Sequence, residues 1–272
     1  MVAHLPPRFS GGALTSLSGG LTNQSYRLDV AGQRFFLRQG TPMAARLGIR
    51  RQREQILHHL AAQAGLAPAL HYADPERGLL ITDWVDCGGS AIDWGADDQL
   101  TRLARQVARL HAIPVTAPAL ELNLISHLQF YLARICIREP RLLSAFHTIR
   151  AQLMALPAVP AVFCHNDIHP ENVLGEALLL VDWEYAGLGD AAFDLAVICR
   201  SFALDRLQQQ QMLSAYQAAG GACELQRVRQ MLVVADFVAL LWARVFWEST
   251  GDLRFDTMYK TLLERCQTAE DA

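Results

Sequence analysis

The octapeptide HNDIHPEN, residues 165–172, groups amide, carboxylate and imidazole side chains between two apolar runs. The segment after it, VLGEALLLV (173–181), has the pattern of strand, turn and strand, with Asn172 just before the first strand and Asp182 just after the second. An antiparallel hairpin brings its ends together, so we expect Asn172 and Asp182 to lie side by side. Magnesium prefers hard oxygen ligands and takes only one or two from the protein, the rest coming from water and substrate phosphates. The pattern therefore predicts a magnesium site at the open end of the hairpin.

Asp167 precedes Asn172 in the same loop and is the third candidate for chemistry. In phosphoryl transfer, an aspartate so placed accepts the proton of the attacking hydroxyl and orients it toward phosphorus. The alternative is a plain polar turn, because Asn, Asp and Pro are common in turns. The return of Asp182 to the same place through the hairpin weighs against that alternative, and Asp167 is the predicted catalytic base.

The spacing of His165 and His169 raises a different possibility, a zinc site. Two histidines four residues apart bind zinc when they share one face of a helix. Here Asn166, Asp167 and Pro170 favour a loop, and the chain has no H-E-x-x-H pattern. The sequence therefore disfavours zinc.

Composition places the chain among ordinary globular proteins. Of its 272 residues, 51% are hydrophobic and 19% charged, and the net charge of −3 gives no electrostatic reason for binding nucleic acid or a membrane. The six cysteines are scattered without a C-x-x-C pair, which favours reduced thiols and a cytoplasmic protein. The N-terminal MVAHLPPRFSGG lacks the basic and apolar regions of a signal peptide.

The most apolar segment is MLVVADFVALLWARVFW, residues 231–247. It is shorter than the roughly 20 uncharged residues that a spanning helix needs, and it contains Asp236 and Arg244. We expect a buried helix of a soluble core and no membrane partner.

The chain divides into two regions of different texture. Residues 1–85 contain strand-like segments, with a hairpin loop at 31–32, and one predicted helix over 43–64. The adjacent glycines in residues 86–90 are typical of a hinge. Residues 91–272 are mainly helical, interrupted by strand character at 161–163 and 173–182.

The predicted helices of this second region span 97–112, 121–138, 140–156, 191–203, 205–219, 225–249 and 253–268. The predicted fold class is α+β, with a small β-rich lobe, a hinge and a larger helical lobe.

Three motifs resemble those of a known family. HNDIHPEN resembles the H-x-D-x-x-x-x-N catalytic loop of aminoglycoside phosphotransferase-like and choline kinase-like enzymes, which are relatives of the protein kinases. VDWEYAGLGDAAFDLA (181–196) is similar to the choline kinase signature that follows that loop, and SGGLTNQSYRL (18–28) is similar to the nucleotide loop of bacterial choline and thiamine kinases. The resemblance implies a two-lobed protein-kinase-like fold, with adenine held by backbone groups near 82–87 and acceptor residues in the helical lobe.

The resemblance also assigns residues to ATP and magnesium. It implies Asp167 as catalytic base, Asn172 and Asp182 as magnesium ligands, and His165 as a residue that stabilises the loop.

In the nucleotide lobe, Gly19, Gly20 and Asn23 would let the loop backbone approach the phosphates. Protein kinases place a lysine on the third strand, whereas this chain has Arg38 there and its sole lysine is Lys260. Arginine binds phosphate bidentately, and choline kinase-like families also use an arginine there, so the resemblance implies a small-molecule kinase.

Glu54 is the only acid in the predicted helix 43–64 and is the expected partner of Arg38. The alternative for Arg38 is an exposed strand cation. No long activation segment separates Asp182 from Ala191, which disfavours a peptide substrate.

The acceptor site is predicted from aromatic and acidic side chains in the helical lobe. Aromatic faces with one or two carboxylates suit a quaternary or heteroaromatic cation. The candidates are Glu184, Tyr185, Asp236, Trp242, Phe246 and Trp247. The alternative is that these rings fill the core, as aromatic residues at helical spacing usually do.

The sequence thus predicts an ATP- and magnesium-dependent kinase for the primary alcohol of a small cationic metabolite, with choline or ethanolamine first and thiamine next. Two alternatives stay open at this point. One is an aminoglycoside phosphotransferase, which needs a broad acidic pocket, and the other is a catalytically silent kinase-like binding protein.

Overall fold

Alternating apolar and polar residues near the N-terminus form a five-stranded antiparallel sheet with strand order β1-β2-β3-β5-β4. The computed structural model of the protein describes residues 5–17, 20–86, 92–95, 98–115 and 117–268. Gly19 and all of the predicted hinge except Asp86 lie outside the described residues. The strands are β1 (Ala13–Leu17), β2 (Asn23–Val30), β3 (Gln33–Gly40), β4 (Leu70–Asp74) and β5 (Leu79–Asp83).

The inward faces of these strands form a small core that includes Leu28, Phe35 and Leu37. The β2–β3 hairpin turns at Ala31 and Gly32, both with positive φ, as this two-residue loop requires. Pairing of Ser25 with Arg38 in this hairpin fixes the side of the sheet from which Arg38 projects.

The helix predicted over 43–64 is two helices, α1 (Met43–Arg46) and α2 (Arg51–Gln63). The break falls at Gly48, whose φ of +73° is a left-handed conformation that suits glycine. A Cβ at Gly48 would lie 2.7 Å from Cε1 of Phe130, so the turn also packs closely against the second lobe.

The C-terminal lobe contains the remaining long helices. They are α3 (Gln99–His111), α4 (Leu124–Leu132), α5 (Pro140–Ala155), α6 (Ala191–Ser201), α7 (Arg206–Ala218), α8 (Leu225–Thr250) and α9 (Leu253–Thr268). Apart from α4, these lie within two residues of their predicted bounds. The predicted helix 121–138 is shortened at both ends: Asn123 caps α4 by accepting from the Ser126 N–H, and the N–H groups of Cys136 and Ile137 donate to Glu248 instead of continuing the helix.

Short strands surround the catalytic loop in this lobe. Strands β6 (Val162–Cys164) and β9 (Gly187–Gly189) pair with each other, and β7 (Val173–Leu174) pairs with β8 (Leu179–Leu180). The two pairs hold the two ends of the loop.

Helix α8 has the length and hydropathy of a membrane span, but 61% of its most apolar window is buried within the protein. It packs against α6 and α9, as the sequence analysis expected of a core helix.

Replacing Gly48 with alanine should destabilise the protein more than the same change at Gly220. Both glycines have positive φ, but a Cβ at Gly220 would meet nothing within 4 Å, whereas one at Gly48 would meet the Phe130 ring. We expect Gly220→Ala to lower the free energy of unfolding by about 1 kcal/mol and Gly48→Ala by about 3 kcal/mol, because the second change adds overpacking to backbone strain. Urea unfolding of the two variants measures this, and equal losses would contradict the packing role of Gly48.

Candidate active site

A cavity of about 910 Å³ lies between the sheet and the helical lobe. The N-terminal lobe contributes Gly20 and Arg38 to its wall, and the catalytic loop and hairpin contribute Asp167, Asn172 and Asp182. Residues far apart in sequence therefore converge on one cavity.

The backbone of the catalytic loop is held by the buried carboxylate of Asp194, near the start of α6. It accepts hydrogen bonds from the backbone N–H groups of His165 (2.8 Å) and Asn166 (2.6 Å) and lies 3.1 Å from Nε2 of His111. Burial alone would raise the pKa of Asp194, but the hydrogen bond and charge of His111 outweigh it, and the pKa is lowered. Asp194 therefore stays ionised and fixes the loop.

His165 connects the loop to the hairpin. Its Nε2 lies 3.0 Å from the carbonyl oxygen of Val181, and its ring centroid is 4.6 Å from that of Trp183. Burial lowers the pKa of His165 to about 4, so the ring is neutral at physiological pH. This placement agrees with the expected role of His165 in stabilising the loop.

Asp167 faces the cavity, with 34% of its side chain exposed. The amide nitrogen of Asn172 donates to the backbone oxygen of Asp167 at 2.9 Å and to its Oδ2 at 3.3 Å. Burial raises the pKa of Asp167 well above its usual value, and the charges of Asp182 and Glu184 raise it further. The carboxylate is therefore a stronger base than an exposed aspartate.

The pairing expected between Asn172 and Asp182 is wrong by one residue. Val173 pairs with Leu180, so Asn172 stands opposite Val181 and accepts the Val181 N–H at 3.0 Å. The reason is the turn, which runs from Gly175 to Leu178 and so leaves Leu179 and Leu180 as the second strand.

Asp182 still reaches the cavity, because its backbone leaves the strand in a left-handed conformation with φ of +62°. The alternation of side chains between the two faces of the strand therefore ends before Asp182.

Asn172 and Asp182 fit a divalent cation. The nitrogen of the Asn172 amide is used by Asp167, which leaves its oxygen available. The Oδ1 atom of Asp182 is buried and has no hydrogen-bond partner in the described residues, although Nη1 of Arg38 lies 3.6 Å away. Burial and the charge of Glu184 raise the pKa of Asp182 to about 8 against the opposing effect of Arg38. Magnesium binds hard oxygen ligands, and the negative charge around these two residues favours a cation there.

The expected pairing of Arg38 with Glu54 is present and buried. Arg38 on β3 donates from Nη2 to Oε2 of Glu54 at 2.9 Å, and its Nη1 donates to Oε1. Burial would raise the pKa of Glu54, but Arg38 and Arg51 lower it to about 2. Arg38 is therefore fixed in position beside Asp182, and it is not an exposed strand cation.

Glu184 lines the cavity and also connects the two lobes, and the acceptor contact expected for it stays a prediction. Its Oε1 accepts from the Thr22 hydroxyl at 2.9 Å, and its Oε2 accepts from Nδ2 of Asn23 at 2.9 Å and from Nη1 of Arg51 at 3.0 Å. The same Nη1 donates to Glu54 at 2.8 Å.

Arg38, Glu54, Arg51 and Glu184 thus form a buried row of alternating charges, which we call the interlobe ion-pair chain. Asn23, expected to act through its backbone, has its side chain in this network, where Nη2 of Arg51 donates to it at 2.6 Å. Sequence reasoning missed Arg51, although its position three residues before Glu54 on one helix is a sign of pairing.

The end of the cavity that the helical lobe lines is aromatic. Tyr185 accepts from the indole N–H of Trp242 at 2.8 Å, and Tyr185, Trp242 and Tyr131 all line the cavity. Tyr131, on α4, was missed because its helix carries no motif. Asp236 also lines the cavity, and it pairs with a guanidinium nitrogen of Arg200 at 2.7 Å.

Two of the expected acceptor residues lie elsewhere. Phe246 is buried and stacks behind Trp242, with 5.0 Å between the two ring centroids. The guanidinium carbon of Arg244 lies 4.6 Å from the ring centroid of Trp247. Both lie outside the lining of the cavity, because α8 turns only one face toward it. Core packing is therefore the role of these two rings.

The profile of the Phosphotransferase enzyme family (APH) matches residues 13–232, most of the chain. The protein belongs to this phosphotransferase family. The family resemblance read from its motifs is confirmed, and the matched region contains every motif that carries it.

Relatives of this chain include Protein LicA of Haemophilus influenzae, with 29% identity over 214 residues, 73% of this chain and 61% of that protein. The thiamine kinase of Salmonella paratyphi B is 34% identical over 96 residues, 34% of each chain. The chain thus spans less than two thirds of these relatives.

Among solved structures, choline kinase LicA from Streptococcus pneumoniae superimposes with a TM-score of 0.78 at 21% identity, covering 94% of each chain. That likeness confirms the two-lobed kinase-like fold.

Proposed function

We propose that the protein transfers the γ-phosphoryl group of ATP to the primary hydroxyl of a small cationic metabolite, choline or ethanolamine first and thiamine next. The observation that carries the proposal is the convergence of Asp167, Asn172 and Asp182 with the Arg38–Glu54 pair at the foot of an aromatic pocket. The family implies a phosphotransferase, and relatives named for choline and thiamine support the acceptor class.

In this reaction the Asp167 carboxylate accepts the hydroxyl proton and orients the oxygen toward phosphorus. Arg38, fixed by Glu54, binds nucleotide phosphate, and the segment from Gly20 to Asn23, which lines the same cavity, covers it. Asn172 and Asp182 would hold magnesium, which neutralises the charge on the phosphates when bound. Catalysis then consists of positioning and charge neutralisation.

The acceptor cation would lie against Tyr185 and Trp242, where cation–π attraction contributes about 0.5–2 kcal/mol per ring. The carboxylates of Glu184 and Asp236 are already paired with arginines, so the rings supply most of the recognition. This distribution of charge favours a small cation over an aminoglycoside, whose several ammonium groups need free carboxylates. We place the reaction in the cytoplasm, because six scattered cysteines without a C-x-x-C pair favour reduced thiols.

Replacing Asp167 with asparagine should abolish most turnover while nucleotide binding is retained. The amide keeps the size of the side chain but cannot accept the proton, and loss of a general base costs about 10²–10⁴-fold in kcat. A coupled assay of ATP consumption gives kcat, and calorimetry with Mg·ADP gives binding. Unchanged turnover would remove Asp167 from the role of base.

A panel of acceptors tests the substrate class. Choline, ethanolamine, thiamine and kanamycin are each supplied with ATP and magnesium, and phosphate transfer is followed by mass spectrometry with the Asp167→Asn variant as control. We expect transfer to at least one of the first three and none to kanamycin. Transfer to kanamycin alone would contradict the proposal, and no transfer to any alcohol would favour a silent binding protein.

A further inference from the structure

Asp194, which holds the catalytic loop, is itself held by side chains of α3 and α7. His111 is the last residue of α3, and its Nε2 lies 3.1 Å from Oδ2 of Asp194. On the other side of the imidazole, Nδ1 lies 2.8 Å from the hydroxyl oxygen of Tyr216, on α7. All three side chains are buried. We call Tyr216, His111 and Asp194 the loop relay.

The direction of each hydrogen bond in the loop relay follows from the chemistry of its two ends. Burial would raise the pKa of Asp194, but the hydrogen bond with His111 lowers it, so the carboxylate is ionised and can only accept. Nε2 of His111 therefore carries a proton. Burial raises the pKa of Tyr216, so its hydroxyl keeps its proton. That hydroxyl donates to Nδ1 of a neutral imidazole and accepts from the Nδ1–H of an imidazolium, so it orients the ring in both states.

The ring of Tyr216 is fixed by close packing. Gly221 follows α7, and its N–H donates to the carbonyl oxygen of Tyr216 at 3.0 Å. A Cβ at Gly221 would overlap the Tyr216 ring. On its other side the ring meets His111 edge to face, with 5.5 Å between the two centroids. The hydroxyl of Tyr216 is therefore held at one position beside Nδ1 of His111.

Helix α3 also holds the β7–β8 hairpin. Nε2 of Gln106 donates to the carbonyl oxygen of Ala177, in the turn of that hairpin, at 2.8 Å. One helix thus contacts the hairpin that leads to Asp182 and, through His111 at its end, the loop that carries Asp167. The contacts of α3 therefore affect how Asp167 is placed relative to Asp182.

We propose that Tyr216 is a positioning residue that acts through the loop relay on the placement of Asp167. The carboxylate of Asp194 accepts from two backbone N–H groups of the catalytic loop, directly before Asp167. A general base must lie within hydrogen-bond reach of the proton that it removes. A displacement of about 1 Å from a change far from the chemistry costs about 10²-fold in rate. The inference rests on the proposed role of Asp167 as the base.

The Tyr216→Phe variant tests this proposal, because it removes one hydroxyl and keeps the buried ring. Turnover is measured with saturating Mg·ATP and whichever of choline, ethanolamine and thiamine the parent protein phosphorylates fastest. We expect kcat to fall by about tenfold, while KM for ATP and the affinity for Mg·ADP change by less than about twofold, because the loop is displaced and the nucleotide site is not. An unchanged kcat would overturn the proposal, and so would a change in KM alone.

Hydrogen exchange separates a positioning role from a loss of overall stability. The backbone N–H groups of His165 and Asn166 donate to Asp194. In the Mg·ADP complex, we expect these two amides to exchange about tenfold faster in Tyr216→Phe, with unchanged exchange in the β2–β3 hairpin. The measurement is made by NMR. Faster exchange throughout the protein would make Tyr216 a structural residue and overturn the proposal, as would unchanged exchange at both amides.

Tyr259→Phe is the matched control, since it removes the hydroxyl of another buried tyrosine, on α9 and outside the loop relay. It should leave kcat and the exchange of both amides unchanged. The His111→Gln background supplies a second test, because glutamine keeps a donor for Asp194 and has no imidazole for Tyr216 to orient. There, Tyr216→Phe should change kcat by less than about twofold. An equal loss in both backgrounds would overturn action through His111.

Failure of the proposed function would be distinguishable from failure of the loop relay. If the protein phosphorylates none of the alcohols, the proposed function is wrong, and the hydrogen exchange of the Mg·ADP complex decides the relay. Faster exchange confined to His165 and Asn166 would then support it, and unchanged exchange would overturn it.

Discussion

The interlobe ion-pair chain is the constraint on which the site depends. Arg38, Glu54, Arg51 and Glu184 alternate in charge and are all buried, so removing one of them leaves a neighbour without compensation. Breaking a buried pair costs about 3–5 kcal/mol, although replacing a whole set by apolar residues is often neutral. The chain therefore contributes geometry more than net stability. It connects the third strand, helix α2 and the turn that follows Asp182.

The charged side chains in the cleft also determine what the site can bind. Burial and the charges of Asp182 and Glu184 raise the pKa of Asp167. Burial and the charge of Glu184 raise the pKa of Asp182, which Arg38 opposes only in part. The negative charge of Asp167 and Asp182 favours binding of a cation. The neighbouring guanidinium of Arg38 favours binding of a polyanion together with that cation. The loop that carries Asp167 can tolerate this repulsion because Asp194 and Asn172 hold its backbone.

The sequence was sufficient for the two-lobed fold class and for the bounds of most helices, since these depend on local periodicity and on motifs. It was insufficient where the length of a turn, or a partner far away in the sequence, determines the structure. The predicted hairpin register is wrong by one residue because the turn includes Leu178. The helix predicted over 43–64 breaks at Gly48, which packs against Phe130 of the other lobe. The contacts of Glu184 with Thr22 and Arg51 were not predicted, because these partners are more than a hundred residues away. Phe246 and Trp247 were assigned to the acceptor site because helical spacing does not tell which face meets the cavity.

A double-mutant cycle on Arg51 and Glu184 tests the ion-pair chain most directly. Mg·ADP affinity is measured by calorimetry for Arg51→Met, Glu184→Gln and the double variant. If the chain holds the Thr22–Asn23 segment against the turn after Asp182, the double variant binds about as weakly as the worse single variant, with a coupling energy of about 1–3 kcal/mol. Losses that add to within about 0.5 kcal/mol would contradict this account.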